Sequence, residues 1–180
     1  MRPKLSQTQT RILAERIANH LSTGPLIAVD VREREPTIVR SAIVPAIASH
    51  LKSLDIEGLT LEGEGLSLAR PTVYLGSTFY PDVAILDLGV RAIAIEIKKL
   101  DGANRQSKLA MALGQATIYK LTGYAESIVF LTEDGHNILP LDLGHALNLH
   151  GDSTHLPLVV YRPVVGRKFV VARGPVLAKS

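Results

Sequence analysis

The sequence predicts an α/β protein with a central mixed β-sheet flanked by helices. Three observations favour this class: apolar residues at helical spacing near the N-terminus, a strand–turn–strand pattern over 81–100, and a further helix and apolar strand after it. Helices and strands in this order form layers in which the helices cover the sheet. At 180 residues the chain has the length of one domain, so a single domain over 1–180 is expected.

The N-terminal part is predicted to form two helices and a strand. Residues 6–21 carry apolar side chains at helical spacing, and a Gly-Pro pair follows them. A second helical segment, 35–51, begins with Glu-Pro, and proline is favoured in a first helical turn. Pro45 is expected to kink or divide this helix, because proline lacks the backbone N–H. Apolar and polar residues alternate over 59–66, which predicts a strand.

The remainder is predicted to contain a hairpin, a helix and three more strands. Residues 81–100 form two apolar runs separated by an Asp-Leu-Gly turn signal. Helical spacing follows over 104–121, and a short apolar run at 127–131 is typical of a buried strand. Two late strands are expected at 156–161 and 169–172.

Composition excludes several classes of protein. The chain has no cysteine, so disulfide scaffolds, cysteine-ligated zinc, iron–sulfur clusters and thiol nucleophiles are ruled out. No glycine-rich loop precedes a helix in a phosphate-binding pattern, and no nucleotide cofactor is expected. The chain also lacks an apolar run of the ~20 residues that a membrane span needs, so a soluble cytoplasmic protein is expected. Four histidines match no standard zinc-ligand spacing: His136, His145, His150 and His155.

The net charge of +3 is mildly basic, and the basic residues are concentrated at the C-terminal end. Residues 161–180 contain no acid, so a basic extension over 139–180 suits a polyanionic partner, although many basic faces are only solvated. Its basic residues are Arg162, Arg167, Lys168, Arg173 and Lys179.

The second strand of the predicted hairpin carries two charges on one face. Strand side chains alternate, so the three isoleucines of residues 92–98 share one face as core. The opposite face carries Ala92, Ala94, Glu96 and Lys98. Buried charges of this kind must be paired or bind a ligand, because desolvation is costly. An exposed ion pair is the alternative interpretation.

The first strand adds a second carboxylate to this spot. In antiparallel register Asp82 lies opposite Ile95, beside Glu96, and a turn one residue longer places it opposite Glu96 itself. Two such carboxylates repel each other unless a divalent cation lies between them, and their oxygens suit Mg²⁺ or Mn²⁺. Lys98 can then orient or deprotonate a water and offset charge at a phosphate. The grouping favours phosphodiester hydrolysis.

Pro81-Asp82, thirteen intervening residues and Glu96-Ile97-Lys98 together resemble the PD-(D/E)XK nuclease superfamily. The resemblance covers a core of about 35–131 and implies a restriction-endonuclease-like fold. It implies that Asp82, Glu96 and the carbonyl of Ile97 hold Mg²⁺ or Mn²⁺, with Lys98 as the catalytic lysine.

The same resemblance extends to helices on either side of the motif. Many members place an acid on a helix before the sheet; Glu35 is the candidate and Glu33 the alternative, and both also suit a solvated helix start. Some branches carry Gln-x-x-x-Tyr on the following helix, which matches Gln115 and Tyr119. It implies that Gln115 helps to orient the site and that Tyr119 contacts nucleic acid; the alternative is a polar stripe at a helix edge with Tyr119 half buried. Basic residues near the site are expected to contact phosphates: Lys99, Arg105, Lys108 and Lys120.

These features predict a metal-dependent DNA endonuclease, for which the resemblance implies 5′-phosphate and 3′-hydroxyl products. Because one core offers one site and members that cut two strands commonly dimerise, a homodimer is expected. Branched DNA or RNA remains open as substrate. The alternative is a nucleic-acid-binding or assembly module that keeps the fold without the activity.

Overall fold

The computed structural model describes residues 2–25, 33–67, 69–100, 104–133, 156–163 and 168–171. The strands are β1 (Leu59–Gly63), β2 (Thr72–Tyr74), β3 (Ser77–Phe79), β4 (Val83–Asp87), β5 (Val90–Leu100), β6 (Glu126–Glu133), β7 (Leu158–Tyr161) and β8 (Phe169–Val171). The helices are α1 (Gln7–Thr23), α2 (Glu35–Ile38), α3 (Val44–Ser53) and α4 (Arg105–Leu121), with a π-helical turn over Val39–Ile43. None of these described helices combines the length and apolar character needed to cross a membrane.

Six strands form one mixed sheet in the order β1-β4-β5-β6-β7-β8. The β1, β4 and β5 strands are antiparallel neighbours, β5, β6 and β7 run parallel, and β8 is antiparallel to β7. The chain crosses from β5 to its parallel neighbour β6 through α4, as parallel neighbours require. The α/β class with a mixed central sheet flanked by helices is therefore confirmed.

The two faces of the sheet pack against different helices. The face that carries Ile93, Ile95 and Ile97 joins the α1 and α3 side chains in the main hydrophobic core. The other face packs against α4 through Leu100, Val129 and Leu131. The alternation predicted along β5 therefore holds from Ile93 onward, whereas Ala92 packs in the main core and not with its predicted partners.

The first helix begins where its sequence provides a capping box. The Ser6 side chain accepts from the backbone N–H of Gln9, and the Gln9 side chain accepts from the N–H of Ser6. These bonds satisfy amide groups that have no partner within the helix. The helix ends at Gly24, whose N–H donates to the His20 carbonyl.

Pro45 changes the helical path without interrupting it. The Val44 N–H donates to the carbonyl of Val39, five residues earlier, which is the bond of a π-turn. The wider turn directly precedes the proline, which has no N–H to donate. Where a kink or a division was expected, the structure shows a π-turn between α2 and α3 with no break in the helical segment.

The late strands extend the sheet beyond the predicted core of 35–131, because β7 pairs with β6 and β8 with β7. Arg162, counted above in the basic extension, is a structural residue: its guanidinium donates to the carbonyls of Leu21 and Gly24 at the end of α1, at 2.7 and 2.8 Å. Several residues singled out from the sequence lie outside the described residues: the four clustered histidines, Arg167, Arg173 and Lys179.

Candidate active site

The register of β4 and β5 brings Asp82 to Glu96. Val83 pairs with Ile95 and Ala84 with Ala94, and a β-bulge lies between Ile85 and Leu86. Asp82 immediately precedes Val83, so it lies across from Glu96. Of the two registers that the sequence allowed, the one with Asp82 opposite Glu96 is observed. The Asp82 carboxylate also accepts the Ile97 N–H at 2.7 Å, which fixes it against β5.

The Lys98 ammonium lies among three oxygen atoms. It is 2.9 Å from Glu96 Oε1, 3.1 Å from Glu35 Oε1 and 3.1 Å from the Ile97 carbonyl oxygen. Glu96 is buried and the side chains of Lys98 and Glu35 are largely covered. The charges on β5 therefore form a buried, paired cluster instead of an exposed ion pair.

The start of α2 supplies the third acid, and it is Glu35. Besides its contact with Lys98, Glu35 accepts the Lys99 N–H at 2.9 Å through its second oxygen. A carboxylate in a first helical turn usually faces its own helix N-terminus, but this one is directed at β5. Glu33 is exposed and contributes only its backbone carbonyl, to the Lys99 ammonium at 3.3 Å.

Burial and mutual repulsion control the charges of the two strand carboxylates. Burial and the neighbouring Asp82 raise the pKa of Glu96 to about 7, although Lys98 and the Tyr119 hydroxyl favour its ionised form. Burial also raises the pKa of Asp82, against the effects of Lys98 and the Ile97 N–H. Burial alone would lower the pKa of Lys98, but Glu96 and Asp82 outweigh it and raise that pKa.

The oxygen donors at this site suit a hard divalent cation. Within the described residues, no group of three or more His, Cys, Asp or Glu side chains is arranged to hold a metal ion. Mg²⁺, however, commonly takes one or two carboxylates and fills its other positions with water and substrate phosphate. Asp82, Glu96 and the Ile97 carbonyl have that donor chemistry, and the raised pKa of each carboxyl indicates a place where added positive charge would be favourable.

Tyr119 is fully buried, so the predicted contact with nucleic acid is wrong for this residue. Its ring lies in a small cluster with Ala84, Ala94 and Tyr124. Its hydroxyl lies 2.9 Å from Glu96 Oε2 and 2.9 Å from the Tyr80 carbonyl. Tyr119 therefore positions the Glu96 carboxylate from the protein interior, through its hydroxyl.

Lys120 is also placed differently from its prediction. Its ammonium is 3.1 Å from the buried carboxylate of Glu126 at the start of β6, and its side chain is only 12% exposed. A lysine held in this way stabilises the junction between α4 and β6 and is not available to a phosphate.

The other predicted residues of α4 lie along the helix before Tyr119. Arg105 is 3.1 Å from the buried Glu133, and the Lys108 ammonium donates to the Lys99 carbonyl at 3.1 Å. Gln115 lies one turn before Tyr119, and its side-chain oxygen is buried without a hydrogen-bond partner among the described residues. No hydrogen bond joins Gln115 to the carboxylates in the described part of the chain.

A cleft beside Asp82 was not predicted from the sequence. It has a volume of about 240 Å³ and is lined by residues 63–66, Ala69 and 80–82. Gly63 allows the close approach of β1, since a Cβ there would lie 2.3 Å from the Asp82 carbonyl oxygen. The Gly-Glu-Gly sequence at 63–65, inside the strand predicted over 59–66, was the available signal, but its meaning depended on β1 pairing with β4.

We expect Tyr119→Phe to raise the pKa of Glu96 above its wild-type value of about 7, because the ionised carboxylate loses a hydrogen-bond donor. The buried acceptors left behind should also lower the free energy of unfolding by about 1–3 kcal/mol. NMR titration of the carboxyl carbon and denaturant unfolding measure both effects.

Tyr124→Phe is the matched control, since the buried Tyr124 hydroxyl has no hydrogen-bond partner among the described residues. If the pKa of Glu96 is the same in Tyr119→Phe and Tyr124→Phe, the Tyr119 hydroxyl does not stabilise the ionised carboxylate, and Tyr119 contributes only packing.

Comparison of the chain with protein-family models, with curated proteins and with solved structures finds no match.

Proposed function

We propose that the protein is a metal-dependent DNA endonuclease of the PD-(D/E)XK type. The observation that carries this proposal is the convergence of Asp82, Glu96, Lys98 and Glu35 on one spot of the sheet, three of them through contacts of 3.1 Å or less. Carboxylates and an ammonium held together in a largely buried site match the needs of phosphodiester hydrolysis.

The order of elements supports a restriction-endonuclease-like fold. An acid-bearing helix precedes an antiparallel run of β1, β4 and β5, and α4 then leads to the parallel strand β6. Of the motif residues, Asp82 lies immediately before β4, and Glu96, Ile97 and Lys98 lie in the second half of β5.

Asp82, Glu96 and the Ile97 carbonyl would hold Mg²⁺ or Mn²⁺. Such an ion, when bound, lowers the pKa of water and offsets negative charge at a phosphoryl group. Glu96 and Ile97 lie in β5, and Asp82 lies immediately before β4, which pairs with β5, so the pairing of these two strands brings the three donors together. The Asp82 hydrogen bond to the Ile97 N–H and the Tyr119 contact with Glu96 further restrict the two carboxylates.

Lys98 is the proposed catalytic residue. Its ammonium can hold a water for in-line attack on phosphorus and can stabilise the additional charge on the phosphate oxygens as the transition state forms. The water oxygen bonds to phosphorus as the P–O3′ bond breaks; the water gives up a proton to solvent and the 3′ oxygen takes one from solvent, which leaves 5′-phosphate and 3′-hydroxyl ends. Glu35 accepts a hydrogen bond from Lys98 at 3.1 Å, so it orients the ammonium.

The partners follow from the same chemistry. The Lys99 backbone N–H donates to Glu35, and the Lys108 ammonium donates to the Lys99 carbonyl; these two lysines would contact phosphates on either side of the cut. Cutting both strands with one site per chain calls for a homodimer. A cytoplasmic location fits the cysteine-free sequence.

The test is a cutting assay on linear, nicked and four-way-junction DNA with Mg²⁺, Mn²⁺ or EDTA. We expect metal-dependent cutting by the wild type and loss of about 10²-fold or more in Asp82→Asn, because a charged oxygen donor is removed. Asp55→Asn is the matched control: the same change at an exposed aspartate whose φ of 51° asparagine also tolerates.

Equal cutting by Asp82→Asn and the wild type would contradict the proposed site. Tight DNA binding with no cutting in any metal would instead favour the inactive binding module on the same fold.

A further inference from the structure

The β2–β3 hairpin has one covered face and one bare face. Thr72 at its base is buried, and Phe79 packs against the small cluster that contains Tyr119. The opposite face and the tip are open, with Val73 64% and Leu75 87% exposed. The hairpin is thus fixed at its base to the cluster beneath Glu96, while its tip presents apolar side chains to the surroundings.

Leu75 is unfavourable at the tip for two independent reasons. Its φ of 47° lies in the left-handed region, where a bulky side chain is uncommon and asparagine or glycine is preferred in a two-residue turn. Its side chain is also the most exposed of the large apolar residues in the described part of the chain. A residue that is unfavourable in both backbone and side chain suggests a role outside folding.

A second Leu-Gly turn in the same protein provides an internal comparison. Leu88, in the turn between β4 and β5, has a nearly equal φ of 50°. Its side chain lies over Gly58, where an added Cβ would come within 2.4 Å of Leu88 Cδ2, and its N–H donates to the Gly58 carbonyl. The leucine at that turn is packed against the protein. The described residues offer no such cover for Leu75.

The hairpin leads directly into the proposed metal site. Asp82 follows Leu75 by seven positions in the sequence, so the tip lies at most ~25 Å away, less than one turn of B-DNA at ~34 Å. Residues 71–81 contain no charged side chain, so nothing in this segment repels phosphate. The exposed hydroxyls of Ser77 and Thr78 near the tip can donate to phosphate oxygens. A duplex held at Asp82 therefore lies within reach of an apolar, uncharged tip.

We propose that Leu75 inserts as a wedge between base steps of the DNA duplex held at the site, which unstacks the step and bends the DNA. This inference rests on the proposed nuclease function and specifies its substrate class. Apolar side chains inserted in this way unstack steps at a cost that depends on sequence. The preferred substrates are then duplexes with an easily opened step near the cut, such as a pyrimidine–purine step, a mismatch or a junction.

The test uses full-length protein and duplex DNA with one 2-aminopurine, a base that becomes brighter when it unstacks. The probe is moved one step at a time across ten base pairs on each side of the cut. Fluorescence is read in EDTA, so that the DNA stays whole, at protein concentrations that saturate binding by anisotropy. We expect one probe position to brighten with the wild type and to lose most of that signal with Leu75→Asn.

Two variants separate the wedge from folding. Leu75→Asn should keep or raise the melting temperature, because asparagine tolerates a positive φ, so a lost signal is not due to unfolding. Leu88→Asn makes the same change in the matched turn; it should lower stability yet keep the full signal. With Mg²⁺, Leu75→Asn should cut an intact duplex about tenfold slower and a duplex mismatched at the wedge step within about twofold of wild type.

The outcomes distinguish this inference from the proposed function. Metal-dependent cutting with no brightening at any position, or with equal brightening in Leu75→Asn, would overturn the wedge and leave the nuclease proposal intact. A change of oligomeric state in Leu75→Asn, with the brightening unchanged, would show a surface for a second copy and also overturn it. Absence of both DNA binding and cutting in the wild type would overturn the nuclease proposal and the wedge with it.

Discussion

Lys98→Met is expected to slow DNA cutting by about 10²–10⁴-fold while DNA binding changes little, because methionine keeps the length of the side chain and removes its charge. The variant removes the ammonium that lies 2.9 Å from Glu96 and 3.1 Å from Glu35. Single-turnover cutting and anisotropy binding with the same duplex measure the two effects separately.

The same variant should also change how Mg²⁺ stabilises the protein. The Lys98 ammonium contacts Glu96 and the Ile97 carbonyl, two of the three groups proposed to hold the ion. Without the lysine, the buried carboxylates lose their counter-charge, and the metal-free protein should lose about 3–5 kcal/mol of stability. Added Mg²⁺ should then raise the melting temperature of Lys98→Met more than that of the wild type.

Lys52→Met, on the exposed surface of α3, controls for the loss of one positive charge. If Lys98→Met cuts DNA as fast as the wild type, Lys98 is not part of the mechanism. A Mg²⁺ shift no larger than in the wild type would show that the ammonium and the ion do not share oxygen atoms.

The central hairpin and its charged face could be predicted because strand periodicity is local. Two-residue alternation places Glu96 and Lys98 on one face wherever β5 lies, and the apolar run before the turn identifies β4. The exact partner of Asp82 could not be predicted, because it depends on a bulge between Ile85 and Leu86 that has no clear sequence signal.

The β2–β3 hairpin was missed for a different reason. Its turn is Leu75-Gly76, and leucine at a positive φ is not among the residues that signal a two-residue hairpin. With the turn unrecognised, no strand was predicted over residues 72–79. The feature that concealed the hairpin is the same one that sets its tip apart from an ordinary turn.

The prediction that Tyr119 contacts nucleic acid was wrong because helix periodicity does not show which parts of the chain cover a helix face. Spacing along α4 correctly placed Gln115 and Tyr119 on one face, but it did not indicate what covers that face. The cover comes from distant parts of the chain: Ala84 and Ala94 of the sheet, Ala69 before the β2–β3 hairpin, and Tyr124. The small alanines leave room for a whole tyrosine ring, which then reaches Glu96 from inside the protein.

We expect the stability of the metal-free wild type to fall by about 3 kcal/mol between pH 5 and pH 8 because of Glu96 alone. The unfolded chain releases this proton near pH 4.5, whereas burial and Asp82 raise the folded pKa to about 7. Between these values the folded state binds more protons than the unfolded state, so stability decreases as the pH rises through this window. The raised pKa of Asp82 acts in the same direction.

Glu96→Gln isolates this contribution, because glutamine keeps the shape and does not titrate. Denaturant unfolding in EDTA should show the wild type losing stability relative to Glu96→Gln from pH 5 to pH 8, while the exposed Glu57→Gln follows the wild type. Mg²⁺ should restore the loss in the wild type at pH 8 and have little effect at pH 5, since a protonated carboxyl is a poor ligand. A constant difference between wild type and Glu96→Gln across this range would mean that Glu96 ionises normally. The repulsion between the Asp82 and Glu96 carboxylates would then be too weak to favour a divalent cation at this site.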